Sequence, residues 1–335
     1  MTSVPFLPAY TAARQRVGLV ERSSLAWVLV SGHDRASYLQ GLLTNDIQAL
    51  RAGTGCYAAY LTAQGRMICD LRVYELGDVL MLALDVGVKD AVIARLDQFI
   101  FAEDVQLGDV SEHVRSLAVV GPEAVGTLAS VLGVAIETLA SLPEHGNLRT
   151  SWRGETMTVL RVTDLGVHGF EVVTPEGLAR TLAEAMRAAG AVDVDASTAE
   201  VLRVEAGVPR FQIDMDSETI PLEAGIESRA ISFTKGCYVG QEVIIRVLHR
   251  GHGRVARHLM GLVADAGVSM TRGTLLLHDG QPVGEVTSAV ESPAIGRCIG
   301  LGYVRRGSAE PGTRVYLSTG GDAEVASLPI VESGR

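Results

Sequence analysis

Cysteine is scarce in this chain and scattered: Cys56, Cys69, Cys237 and Cys298 never form a CxxC pair. That spacing excludes an all-cysteine zinc or iron–sulfur ligand set and a disulfide framework, and it suits a reducing compartment. Basic residues are also few, 29 Lys and Arg against 39 Asp and Glu, for a net charge of −10. A firm hold on a nucleic-acid backbone needs clustered positive charge, so tight direct binding of nucleic acid is not expected. No apolar run reaches the roughly 18 residues that cross a bilayer. Arg14 and Arg16 interrupt the N-terminal stretch where a secretion signal keeps its apolar core. A cytoplasmic protein with no membrane segment is the expectation. Walker loops, GxGxxG after a strand, HExxH and GxSxG are likewise missing.

What the chain does have is bulk and apolar content: 335 residues, 47% hydrophobic and 20% charged. This describes a globular protein with two or three cores. Leu25 to Val30 reads as a strand, followed by a helix capped by Asp34 that carries Tyr38, Leu39, Leu42 and Leu43. Cys56 to Leu61 and Arg66 to Leu76 read as a hairpin turning at Ala63-Gln64-Gly65, and Val79 to Leu84 as a third strand. Val92, Leu96 and Phe99 put a helix over Val88 to Phe101. Strands at Leu117–Val120, Thr156–Val162 and Phe170–Val173 alternate loosely with helices at Pro122–Leu132, Pro175–Ala189 and Ala196–Ala206. Strand runs beside helices, without strict alternation, point to an α+β fold. From about Arg254 helical periodicity disappears, and short strands punctuated by Gly and Pro predict a small β-barrel or sandwich. The boundary falls near Gly251-His252-Gly253.

Two acids stand where acids are disfavoured. Strand alternation puts Asp70 on one face with Ile68, Arg72 and Tyr74, opposite Met67, Cys69, Leu71 and Val73. An ion pair with Arg72 and contact with a ligand both account for it. Glu205 sits in the last turn of its helix, where the dipole opposes a carboxylate, on a face shared with Thr198, Val201 and Leu202. It needs either an arginine, such as Arg203 or Arg210, or a ligand with paired N–H donors. The densest local signal is Thr234-Lys235-Gly236-Cys237-Tyr238-Val239-Gly240-Gln241-Glu242, just ahead of an amphipathic helix. Lys235 and the helix start both favour a thiolate at Cys237, and a plain packing role is the alternative. The basic run His249-Arg250-Gly251-His252-Gly253-Arg254 suits either an anion or a solvated hinge.

The segment KGCYVGQE closely resembles the KGCYxGQE signature of the YgfZ-type folate-binding proteins, relatives of the aminomethyltransferase (T-protein) of the glycine cleavage system. Gly65-Arg66-Met67-Ile68-Cys69-Asp70-Leu71 resembles that family's G-G-x-x-D-D-L strand, with one of its two acids replaced by Cys69. Leu202-Arg203-Val204-Glu205-Ala206-Gly207 resembles its L-R-x-E-x-G helix, and Ile220-Pro221-Leu222-Glu223 its T-P-x-E loop. The Gln64-Gly65-Arg66 turn and the retained Asp70 are similar to the mitochondrial iron–sulfur assembly factors of the YgfZ branch. The resemblance implies two ferredoxin-like α/β layers forming a folate pocket, plus a C-terminal β-barrel. Residues 1–250 would be the folate-binding region, with a subdomain inserted at about 52–145, and residues 251–335 the barrel. It implies tetrahydrofolate bound by Asp70, Tyr57, Arg203, Glu205, Lys235, Tyr238, Gly240 and Gln241, with Asp70 and Cys237 as the reacting groups and no metal. It further implies an accessory role toward iron–sulfur client proteins, including tRNA-modifying ones. The alternative is a folate-dependent transfer of a one-carbon unit.

Overall fold

The computed structural model of the chain describes residues 7–249 and 254–332. Two sheets and a barrel divide its strands. A six-stranded sheet runs in the order Val192–Asp193, Gly18–Glu21, Val114–Val120, Gly169–Pro175, Glu155–Val162, Asn147–Trp152. A five-stranded antiparallel sheet runs Gly55–Leu61, Met67–Glu75, Leu80–Asp85, Leu25–Ser31, Gln106–Asp109. Arg257–Ala264, Arg297–Arg305, Gln281–Ser292, Leu275–His278, Arg314–Leu317 and Asp322–Ala326 close into a barrel. This is the α+β architecture expected, two α/β layers and a C-terminal barrel. The excursion into the five-stranded sheet spans residues 25–109, not 52–145, because Leu25–Ser31 pairs with Leu80–Asp85 from Leu25↔Asp85 to Val30↔Leu80. Strand pairing over that separation leaves no local mark in a sequence.

Each sheet has one face under helices and one against the other sheet. Val119, Val159, Phe170 and Val172 of the six-stranded sheet pack under Leu128, Leu182 and Met186 from the helices Ala124–Leu132 and Glu176–Ala188. Leu39, Leu96, Leu222 and Ile244 cover Tyr60, Cys69, Leu71 and Val73 of the five-stranded sheet. Between the sheets lie Trp27, Tyr74 and Met81 from one side and Leu160, Val162 and Val173 from the other. The strand Met67–Glu75 follows the expected alternation: Met67, Cys69, Leu71 and Val73 are buried, while Ile68, Asp70 and Arg72 face the partly open side.

The strands absent from the sequence reading are short, two to six residues each: Gly18–Glu21, Gln106–Asp109, Asn147–Trp152, Val192–Asp193 and Asp322–Ala326. The helix expected over 88–101 is shorter, Lys89–Asp97, and Phe101 is 84% exposed beyond it. Among the described residues no helix is long and apolar enough to cross a membrane. The barrel boundary at 251–253 and most of the basic run from His249 to Arg254 lie outside the described residues.

Two buried polar joints fasten the barrel to the rest, both on the helix Ala196–Glu205. Glu205 is fully buried and accepts hydrogen bonds from the Tyr10 hydroxyl at 2.8 Å, from Arg14 and from Ser292 on the barrel. Its carbonyl accepts the Val331 N–H at 2.9 Å. Two residues back, on the other side of the helix, Arg203 donates to Asp214 at 2.7 Å, to the Val208 carbonyl at 2.6 Å and to Ser288 on the barrel at 2.8 Å. Asp214 also accepts from Thr287 at 2.6 Å and Ser288 at 2.7 Å. Around these joints Val204 packs on Leu259, Ile299, Leu301 and Tyr303 of the barrel wall. Neutralising Glu205 leaves the largely buried Arg14 without its charge partner. Glu205→Gln is therefore expected to lose on the order of 3 kcal/mol of stability, read as a lower urea midpoint. An unshifted midpoint would show that the joint carries no net stability.

Candidate active site

A cavity of about 330 Å³ opens where the two sheets meet the helix Ala196–Glu205. Its charged lining comes from every layer: Asp70, Arg72 and Asp85 from the five-stranded sheet, Arg22 and Asp164 from loops of the six-stranded one, Glu200 and Arg203 from the helix. Asp70 reaches it from the middle of its strand, and its Oδ2 accepts the Tyr57 hydroxyl at 2.7 Å. Burial raises the Asp70 pKa, against the Tyr57 hydrogen bond and the Arg72 charge, which lower it. Burial also pushes Tyr57 well above the usual phenol range, helped by the neighbouring carboxylate, so its proton stays to orient Asp70. The Arg229 guanidinium lies over the Tyr57 ring, 5.6 Å from its centroid.

The expected alternative partner for Asp70 is occupied elsewhere. Arg72 pairs with Asp164 at 2.7 Å, and Arg22 pairs with the same oxygen while lying 3.6 Å from Glu171. Burial alone would raise the Asp164 pKa, but Arg22 and Arg72 overcome it and hold its carboxyl well below the usual range. This four-charge cluster forms the wall behind Asp70. Glu200 forms the opposite wall, held by Arg203 through Nε at 3.0 Å and a second bond from Nη2.

Of the expected ligand-binding residues, Asp70 and Arg203 share this cavity, and Tyr57 joins them through Asp70. Glu205 does not. It faces the opposite way on the helix, and Tyr10, Arg14 and Ser292 saturate its carboxylate, so its expected ligand-holding role is replaced by a structural one. The partner is Arg14, not the expected Arg203 or Arg210. Arg203 spends its donors on Glu200, Val208, Asp214 and Ser288, which makes it a support for Glu200 rather than a ligand contact.

The signature around Cys237 is mostly architecture, and none of its residues lines the cavity. Lys235 Nζ donates to the carbonyls of Gln40, Leu43 and Asn45 at 2.6, 2.6 and 2.9 Å, capping the C-terminus of the helix Arg35–Leu42. Its charge is committed there, and the same charge favours the thiolate of Cys56, against the burial that raises that thiol's pKa. Tyr238 is buried in the core of the five-stranded sheet, and Gln241 opens the helix Gln241–His249. Gly240, at φ +86°, lies against the Thr62–Gly65 turn so closely that a Cβ would come within 2.5 Å of the Thr62 carbonyl. Cys237 is exposed, four residues before the first residue of the helix rather than in its first turn.

Glu200, Asp164 and Arg22 were not anticipated. Glu200 carries a readable signal, an acid three residues before Arg203 on one helix face. The other two meet only through the fold.

The class this arrangement defines is an α+β protein of two facing sheets and a closed barrel, with a half-buried acid, oriented by a tyrosine, at their common cavity. The GCVT N-terminal domain matches residues 8–235, and the glycine cleavage T-protein C-terminal barrel domain matches residues 257–332. The chain belongs to the glycine cleavage T-protein family. It is 31% identical over 310 residues to an aminomethyltransferase of Streptomyces coelicolor, covering 91% of this chain and 82% of that one. With an aminomethyltransferase of Prochlorococcus marinus it shares 28% over 334 residues, 96% and 88% of the two chains. The crystal structure of glycine cleavage system aminomethyltransferase T from Bartonella henselae superposes with a TM-score of 0.88 at 25% identity, over 98% of this chain and 91% of that one. These relatives are named aminomethyltransferases rather than YgfZ-type proteins.

Removing the Asp164 charge strands two buried guanidinium groups. Asp164→Asn is expected to cost about 3–5 kcal/mol at pH 7, measured by urea unfolding. A carboxyl with a depressed folded pKa contributes above its unfolded pKa of about 3.9, and that contribution is lost as pH falls through the folded value. The gap between parent and variant should therefore close in acid. Cys237 is expected to alkylate first in the folded protein at neutral pH, with buried Cys69 and Cys298 slow and Cys56 held back by burial that pushes its thiol up to about 12. Peptide mapping of an iodoacetamide time course reads this directly, and equal slow labelling at all four would show Cys237 to be shielded.

Proposed function

We propose that the chain transfers a one-carbon unit from an aminomethyl-type donor to tetrahydrofolate at the Asp70 cavity. The observation that carries this reading is Asp70 itself, a half-buried carboxylate oriented by Tyr57 and facing a cavity walled by all the layers of the N-terminal region. The lining suits a folate. Asp70 and Glu200 offer acceptors to an N–H-rich pterin edge, and the volume falls in the range of small-ligand pockets. Bound tetrahydrofolate supplies the nitrogens that take up the one-carbon unit. Asp70 then orients a nitrogen nucleophile and stabilises the positive charge that develops beside it. The Tyr57 hydroxyl fixes which carboxylate oxygen faces the cavity. The aminomethyltransferase relatives support this reading over the accessory role that the KGCYVGQE resemblance implies.

A second reading rests on the exposed Cys237, which lies outside the cavity and is free to meet a partner. On that account the folate-binding chain serves iron–sulfur client proteins, and Cys237 is the contact.

Purified protein with tetrahydrofolate and an aminomethylated carrier protein tests the first reading through formation of methylenetetrahydrofolate. Asp70→Asn is expected to lower the rate by roughly 10²-fold or more, while Cys237→Ala leaves it unchanged. Burial raises the Asp70 pKa above its unfolded value, so ionising it in the folded state costs stability as pH rises through that window. Asp70→Asn should consequently be more stable than the parent at pH 7 and lose that advantage below about pH 3.9. An inactive parent protein, together with loss of iron–sulfur enzyme activity in a strain carrying only Cys237→Ala, would transfer the case to the second reading.

A further inference from the structure

A second cavity, about 290 Å³, lies on the helix-covered side of the six-stranded sheet, away from Asp70. The helices Leu7–Gln15 and Ala124–Leu132, the end of Ile136–Ala140 and the strand residues Arg161 and Phe170 enclose it. The polar side chains in its lining are Arg14, Arg161 and His168, and no acidic side chain lines it among the described residues.

Arg161 is the unusual member. It is partly buried, and its guanidinium lies over the Phe170 ring at 4.8 Å from the centroid. Among the described residues no carboxylate or hydrogen-bond acceptor meets it. Burial lowers its pKa with nothing opposing. A cation drawn out of water is costly unless an anion meets it. Arg14 adds a second donor: one Nη holds Glu205, but its Nε is buried and unpartnered, on a side chain only 13% exposed. The first turn of the nine-residue helix Ala124–Leu132 also opens onto the space, where the dipole favours negative charge. The rest of the lining is apolar, chiefly Phe170, Val125 and Val167.

We propose that this cavity binds a small organic carboxylate, its charge held by Arg161 and Arg14 and its apolar body lying among Phe170, Val125 and Val167. The site is separate from the Asp70 cavity and independent of the reaction proposed there. It is mechanically linked to the barrel joint, because Arg14 serves both the cavity and Glu205.

Benzoate is the probe, titrated calorimetrically into the full chain at fixed ionic strength, with acetate and inorganic phosphate as comparison ligands. Saturable one-to-one binding of benzoate is expected, weaker for acetate and for phosphate. Arg161→Leu should weaken it by roughly ten-fold or more, the scale of a hydrogen bond to a charged group, and Arg161→Lys should restore part of it. Val125→Phe, which fills the cavity and leaves every charge in place, should abolish it, so the test survives if Arg161→Leu fails to fold. Asp70→Asn should bind benzoate as the parent does. Absence of saturation, binding that persists in both Arg161→Leu and Val125→Phe, loss of binding in Asp70→Asn, or tighter binding of phosphate than of benzoate would each overturn the proposal.

Discussion

Burying an arginine and a glutamate two residues apart on one helix is costly unless each finds partners, and the molecule is arranged to supply them. The last turns of Ala196–Glu205 send Arg203 to one side and Glu205 to the other. Arg203 gathers Asp214, the 208–210 loop and Ser288 of the barrel. Glu205 gathers the first helix through Tyr10 and Arg14, and the barrel through Ser292. Hydrophobic contact between Val204 and the barrel wall supplies adhesion, which has no direction. The charged groups supply direction, because a misplaced layer would leave a buried ion unpaired.

That fixed geometry is what gives the Asp70 cavity its shape. Glu200 stands on the same helix as the two joints and is held by Arg203, so the position of the opposite wall is set by the attachment of the barrel. The near wall is set by Arg22, Arg72, Asp164 and Glu171, two cations and two anions shut between the sheets. Their mutual pairing leaves Asp70 outside the network, with Tyr57 as its hydrogen-bond donor and a raised pKa. An acid prepared in this way is less stabilised as an anion than one in a salt bridge, and so more responsive to charge developing in a ligand.

The segment KGCYVGQE shows how a dense motif divides between architecture and chemistry. Lys235 completes a helix end, Tyr238 fills the core, and Gly240 lets the chain pass against the hairpin turn that carries Gly65. These three demands explain the residue types without a ligand. Cys237 is left facing solvent, as are its neighbour Gly236 and Glu242 in the first turn of the following helix.

Local periodicity was enough to read the Asp70 strand, its facing pattern, the principal helices and the change to a barrel, because side-chain direction in strands and helices repeats within a few residues. Asp70 was legible as an acid in a disfavoured place for the same reason, and so was Glu205. Which partners those acids meet was not legible. Tyr57 lies 13 residues from Asp70 in a paired strand, whereas Tyr10 and Ser292 lie 195 and 87 residues from Glu205. The sequence by itself determined where carboxylates are forced out of water. Only the tertiary structure decided that Glu205 meets a full set of protein donors while Asp70 meets one hydroxyl and an open cavity, since desolvation is a property of one residue's surroundings and pairing depends on segments brought together from across the chain.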